Sequence, residues 1–381
     1  MVRNAGILVL MMAVAPIAGG EAPGTRTRAR EAGVVVGILP TGPGNAITDV
    51  AGVRVGHRTV AEGEDVRTGV TVILPHQGNL FQEKVPAAVF VTNGFGKLTG
   101  VTQVEELGTL ETPVALTSTL SVWRVADALA GWVLDQPGNE QVQSVNPVVG
   151  ECNDGHLSNV RRRPVTAAHV LEALAAAGPG PVAEGCVGAG TGTMALGWKG
   201  GIGTASRRLP AELGGWTVGV LVQSNFGGLL TVAGVPVGVV LGRHAFAEVL
   251  RPAVEDGSCM VVVATDAPLD ARQLRRLAAR TPLGIARVGG YASHGSGDYA
   301  VAFATHPEVR LSHGDRELRR APVLADETLS PLFLAVVEAT EEALLNSLFT
   351  AVTTRGREGR TGEALPLDKV VAMLRERGAL R

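Results

Sequence analysis

The chain has 381 residues, 45% of them hydrophobic and only 4% aromatic, and its 50 glycines are spread along the sequence rather than clustered, a composition of ordered globular proteins with many tight turns. Its 34 Lys and Arg nearly cancel its 36 Asp and Glu, leaving a formal charge of -2. With no long run of one sign, a nucleic-acid partner is not expected, and a small peptide or other small molecule is favoured.

The first three residues, Met1-Val2-Arg3, are followed by an apolar run over 5–18 and small residues at 19–23, which predicts a secretory signal peptide over residues 1–22. That run is shorter than the ~20 residues of a bilayer span, so no stable membrane partner is expected and the protein is expected in the periplasm or outside the cell. Residues 23–32 are rich in Arg and Thr without apolar periodicity and read as a disordered connector. One domain is expected over 33–381.

Short β-branched runs bounded by Gly, Pro or Asn predict strands over 34–39, 53–55, 70–74 and 87–92. Helices follow over 101–108, 121–134 and 167–177, where apolar residues recur at helical spacing. Further strands are predicted over 217–223, 235–241, 260–265 and 299–305, then helices over 270–280, 330–352 and 368–377. Asp270 with Gln273 makes a capping box at the first of these. The glycine-rich stretch 185–203 (GCVGAGTGTMALGWKGGIG) lacks the spacing of a dinucleotide or phosphate loop and reads as backbone packed close to other backbone. Cys152, Cys186 and Cys259 are too few and too widely spaced for a disulfide framework and read as free thiols.

Absences narrow the chemistry. No His-Glu-x-x-His or Gly-x-Ser-x-Gly occurs, and the eight histidines are scattered without metal-ligand spacing, so neither a metal site nor a His-dependent serine hydrolase is supported. His57, His156 and His294 read as bystanders. Residues 255–263 (EDGSCMVVV) stand out as a polar turn, a Gly257-Ser258 junction and a strand beginning at the serine. Alone, this is a hairpin turn.

Six segments taken together carry more: residues 45–57 (NAITDVAGVRVGH), 148–155 (VVGECNDG), 188–192 (GAGTG), 222–227 (VQSNFG), 256–258 (DGS) with 261–268, and 295–298 (GSGD). In content and order they resemble the DmpA-type family of L-aminopeptidase/D-esterases and β-aminopeptidases. The resemblance implies an αββα sandwich of the α/β class, similar to N-terminal nucleophile hydrolases but differently connected. It implies a precursor that cuts itself between Gly257 and Ser258 into an α chain ending at 257 and a β chain of residues 258–381, with no cofactor and with assembly of the αβ units into a homo-oligomer. The substrates implied are amino-terminal residues of peptides, amides or esters, D- or β-configured residues included.

The same resemblance makes Ser258 the nucleophile, with Ser296 and Asp298 acting beside it, Asn225 the oxyanion donor and Glu151 the acid that binds the substrate amine; Asn153 is a further candidate for the oxyanion site. The chemistry is coherent: a freed N-terminal amine, with a reference pKa of ~7.7–8.0, can serve as base to the hydroxyl of its own residue. Before the cut that nitrogen is an amide, so another group must assist. Ser296 and Asp298, two apart on an extended segment, share one face. The chain departs from the family at Lys97, where relatives tend to carry an acid, and at Asn153, near which they place an aromatic donor. Two alternatives stand beside this reading: an acyltransferase like the ornithine acetyltransferases, and a processed but catalytically silent peptide-binding envelope protein.

Overall fold

The computed structural model describes residues 26–245, 256–317 and 321–381. The predicted signal peptide and the start of the connector lie outside them. Nine principal strands carry the fold: β1 (Arg54–Glu62), β2 (Val66–Leu74), β3 (Glu83–Gly94), β4 (Val114–Ser118), β5 (Val148–Cys152), β6 (Gly201–Arg208), β7 (Thr217–Asn225), β8 (Asp256–Thr265) and β9 (Gly295–Ala304). The helices that cover them are α1 (Val122–Leu134), α2 (Ala167–Ala175), α3 (Ala271–Ala278), α4 (Thr281–Arg287) and α5 (Ser330–Phe349).

One sheet is 4-stranded, in the order β1-β2-β4-β5. The other is 7-stranded: Leu311–Ser312, β3, β9, β8, β7 and β6 in order, with Thr109–Leu110 beside β3. Side chains of a strand point alternately to its two faces, and that alternation sorts the apolar residues into three clusters. Val70 and Val72 pack with Val125 and Leu129 of α1 and Val170 and Leu174 of α2. Ile73, Leu116 and Val148 meet Val89, Val262 and Phe303 between the sheets. Val261 and Val263 face outward with Val220 and Ala302 onto Leu274, Leu277, Leu344 and Leu348. Four layers with three interfaces result, the expected αββα sandwich. Because β8 is buried on both faces, it reads as an unbroken apolar run instead of an alternating one.

Helices α1, α2, α3 and α5 lie where periodicity places them, and Asp270 Oδ1 accepts from Gln273 N at 2.7 Å as the capping box requires. Two predicted strands are absent. Residues 34–39 bury Val34 and Val36 but turn at Gly37 (φ 73), and the N–H groups of Ile38 and Leu39 donate to the Glu338 carboxylate at 2.9 and 3.1 Å rather than to a neighbouring strand. Residues 235–241 form the short helix Val237–Val240 after Pro236, which lacks a ladder donor and favours a helix start.

The connector expectation for 23–32 is corrected where the structure describes it. Arg28 donates to Asn45 O and Thr204 O, each at 2.7 Å, and pairs with Glu184 at 2.8 Å. Ala29 is fully buried, its N–H on Asn346 Oδ1 at 3.0 Å. Arg30 pairs with Glu342 at 2.6 Å. The arginines that gave the segment its polar look are the groups that fasten it.

Glu342 also belongs to a buried ion network that ties β6 to α5. Arg207, with no exposed surface, donates to Glu338 Oε2 at 3.0 Å and Glu342 Oε2 at 2.7 Å, and to the carbonyls of Ser206 and Val36. Removing one partner of a buried pair leaves an uncompensated charge, at a cost of roughly 3–5 kcal/mol. Arg207→Met is expected to lower the unfolding free energy by about that amount in urea titration; a loss below about 1 kcal/mol, the worth of an exposed pair, would show the network to be energetically idle.

Candidate active site

Strand register gathers the candidate residues at one end of the sandwich. Antiparallel pairing of β7 with β8 sets Asn225 opposite Ser258. Parallel pairing of β8 with β9 sets Gly257 beside Ser296 and Ser258 beside Gly297, and β9 in turn sets Gly297 opposite Gly94 of β3. Glu151 and Cys152 arrive from the other sheet, at the end of β5, opposite Thr117 and Ser118. The buried Cys152 thiol reaches across to the carbonyls of Gln223 and Ser258 at 3.4 and 3.5 Å, and burial pushes its pKa up.

Ser258 is 2% exposed. Its Oγ accepts from the Asn153 backbone N–H at 3.3 Å and from Asn225 Nδ2 at 3.4 Å, long distances that leave room for a closer acceptor between two convergent donors. Asn225 is fixed from both sides of its amide: Nδ2 donates to Asn153 O at 3.1 Å, and Oδ1 accepts from Met194 N at 3.0 Å. The Asn153 side chain is turned away, with Oδ1 accepting from Gly155 N at 3.0 Å. Asn153 therefore reaches Ser258 through its backbone, where any residue but proline would offer the same donor.

Ser296 Oγ donates to Asp298 Oδ1 at 2.8 Å. Burial raises the Asp298 pKa to about 6, and its second oxygen is buried without a hydrogen-bond partner among the described residues. A Cβ at Gly257 would lie 3.1 Å from Ser296 Oγ and 3.3 Å from Phe226 Cα, so a side chain before Ser258 would crowd both, and the hydroxyl of Ser296 lies against the Gly257-Ser258 junction. Asn93, which sequence reasoning missed, clamps the turn leading into β9 by donating to the carbonyls of Ser293 and His294 at 2.9 and 3.2 Å and to that of Ser296.

A pocket of about 300 Å³ opens onto Ser258, lined by Phe95, Lys97, Thr119, Glu151 and Asn153 among others. Glu151 is 3% exposed, and burial raises its pKa against the lowering effect of Lys97. His57 lies elsewhere: it is bonded to Thr71 Oγ1 at 2.9 Å on β1, and burial holds its pKa near 4. His294 touches only the edge of this region, 5.9 Å from the ring of Phe95. The three cysteines are free. Chemically, the arrangement offers a hydroxyl nucleophile, two donors suited to an oxyanion, a Ser–Asp pair alongside and a carboxylate at the pocket end.

The sequence pattern of peptidase family S58 matches residues 45–362. The chain belongs to that family. It is 40% identical to the β-peptidyl aminopeptidase BapA of Sphingosinicella microcystinivorans, over 97% of this chain and 96% of that protein. Its fold is similar to the β-aminopeptidase of Burkholderia sp. (TM-score 0.83, 43% identity, 92% of this chain and 99% of that one). It is equally similar to the L-aminopeptidase D-Ala-esterase/amidase of Ochrobactrum anthropi, described as a variant among the Ntn hydrolase folds (TM-score 0.84, 37% identity, 93% and 99%). The chain is thus a serine aminopeptidase of the N-terminal nucleophile class. These relatives are hydrolases, and neither the acyltransferase nor the silent binding protein finds support among them.

Proposed function

We propose that this family member cuts itself between Gly257 and Ser258 and then uses Ser258 as nucleophile and the freed amine of the same residue as base, releasing amino-terminal residues, β-linked ones included, from short peptides and amides. The observation that carries the reading is the convergence of Asn153 N–H and Asn225 Nδ2 on Ser258 Oγ, beside the Ser296–Asp298 pair. In the cut, Oγ attacks the Gly257 carbonyl, the C–N bond breaks, the nitrogen takes a proton to become the amine, and water hydrolyses the resulting ester. In turnover, Oγ attacks the substrate carbonyl, the oxyanion lies between the two donors, the leaving amine takes the proton, and water releases the acyl group. Glu151 receives the substrate ammonium. The names of the relatives support β-linked substrates, and the apolar run at 5–18 supports export.

Intact-mass analysis of the purified protein tests the first step. A fragment beginning at Ser258 is expected; a single uncut chain removes the N-terminal amine from the mechanism.

Asp298 gives this step a pH dependence. Above its pKa of about 6 it is a carboxylate that accepts the Ser296 proton and leaves the lone pairs of that oxygen free for the Ser258 hydroxyl; below it, the carboxyl is itself a donor and loses that hold. The rate of cutting in freshly synthesised chain is expected to climb through about pH 6 and level off above it, a step that Asp298→Asn abolishes. A rate that falls over the same range would assign Asp298 the opposite role of acid.

A further inference from the structure

Glu151 shares the end of the pocket with a cation. Lys97 follows β3 and lines the same space as Ser258. Its ammonium donates to Thr119 Oγ1 at 2.8 Å and lies 3.4 Å from Glu151 Oε1, while its backbone N–H donates to that same oxygen at 3.2 Å. Both contacts fall on Oε1, and Oε2 is buried with no hydrogen-bond partner among the described residues.

An ammonium has three donors, of which Thr119 and Glu151 engage two, and the Lys97 side chain is 34% exposed against 4% for Glu151. Were Lys97 present only to neutralise the carboxylate, its shortest contact would be to Glu151 rather than to a hydroxyl. The pocket therefore ends in a neighbouring anion and cation, each with unused bonding capacity, within reach of the nucleophile.

We propose that Lys97 and Glu151 together select an amino-terminal residue that carries a carboxylate beside its amine, the β-linked aspartyl residue above all; this rests on the aminopeptidase reading of the pocket given above. In such a residue the ammonium and the carboxylate share one carbon, and the scissile carbonyl lies one methylene away. The ammonium meets Glu151, the carboxylate meets Lys97, and the carbonyl is presented to Ser258. A residue with a neutral substituent at that carbon satisfies Glu151 only and offers Lys97 no partner. Charge-assisted contacts of this kind are the strong ones, with Lys acting as a point charge.

The test compares β-aspartyl-leucine with 3-aminobutanoyl-leucine, in which a methyl group replaces the carboxylate. Wild type is expected to cleave the aspartyl dipeptide with a kcat/KM at least about tenfold higher, mainly through KM, as one charge-assisted contact allows. Lys97→Met is expected to erase or invert that ratio, and Lys97→Arg to restore it in part. Equal or better cleavage of the methyl analogue by wild type overturns the proposal and leaves the aminopeptidase reading standing. Cleavage of neither dipeptide overturns both. A ratio unmoved in folded Lys97→Met assigns the preference elsewhere and overturns the role of Lys97.

Discussion

Ser258→Ala is expected to leave the full-length chain uncut and to lower aminopeptidase activity by at least about 10³-fold, since removing the nucleophile of a serine hydrolase costs on the order of 10⁶ in kcat. One substitution is expected to have two effects because, in the proposed mechanism, the same oxygen acts twice, first on the Gly257 carbonyl and then on the substrate. The substitution is also mild for the fold. Ser258 lies in β8 between β7 and β9, and alanine keeps the ladder while deleting one oxygen that accepts long contacts from Asn153 and Asn225. Intact mass and hydrolysis of a β-alanyl amide read the two losses separately. An uncut chain that still turns over substrate would show that another group attacks, and a cut chain without Ser258 Oγ would place the cut outside this mechanism.

Asn225→Ala is expected to lower kcat by roughly 10²–10³, the measured worth of one oxyanion-hole donor, with a small change in KM. The donor is valuable because it is pre-set: Met194 N holds Oδ1 and Asn153 O holds Nδ2, so no side-chain rotation is needed as charge develops on the oxygen. Cutting is expected to slow as well, because the Gly257 carbonyl passes through the same kind of intermediate beside the same donor. Steady-state kinetics on pre-cut enzyme and the rate of fragment formation separate the two. A rise in KM with kcat unchanged would make Asn225 a substrate-positioning group instead.

Much of the site was readable because its residues sit at strand ends that register brings together. Asn225 closes β7, Ser258 lies near the start of β8 and the pair Ser296, Asp298 near the start of β9, so sequence segments far apart become neighbours once the strands pair. The contribution of Asn153 was legible only in part. A motif shows side chains, whereas what reaches Ser258 is a backbone N–H whose direction depends on the turn after β5. Lys97 shows as a departure from the family in the sequence, but its meeting with Glu151 joins the two sheets and leaves no periodic trace. Asn93 acts on three carbonyls about 200 residues away and is equally silent.

The fold shows the same division. Helices with a clear apolar face were placed within a few residues, as were the buried strands β7 and β8. Strands β4, β5 and β6 escaped because they are short or glycine-rich. Residues 34–39 and 26–32 erred in opposite directions for one reason. Their backbone and side chains bond to Glu338, Glu342 and Asn346 of α5, and a polar partner 300 residues away leaves no mark on local composition.

The position of β8 fixes how the molecule must be made. Of the strands around the junction, β3, β6 and β7 precede residue 258, whereas the rest of β8 and all of β9 follow it, and the sheet order places β9 and β8 between β3 and β7. Scission before Ser258 would thus leave two polypeptides woven through one sheet, with no edge along which they could part. While the chain is continuous, bringing those strands together is loop closure, whose entropic cost grows only slowly with length. Once it is cut, the same pairing becomes an encounter between two molecules. Assembly would be easy before such a cut and concentration-dependent after it, so an enzyme matured by the proposed cut would owe its shape to a connection it no longer had, and heat that separates the pieces is expected to inactivate it for good.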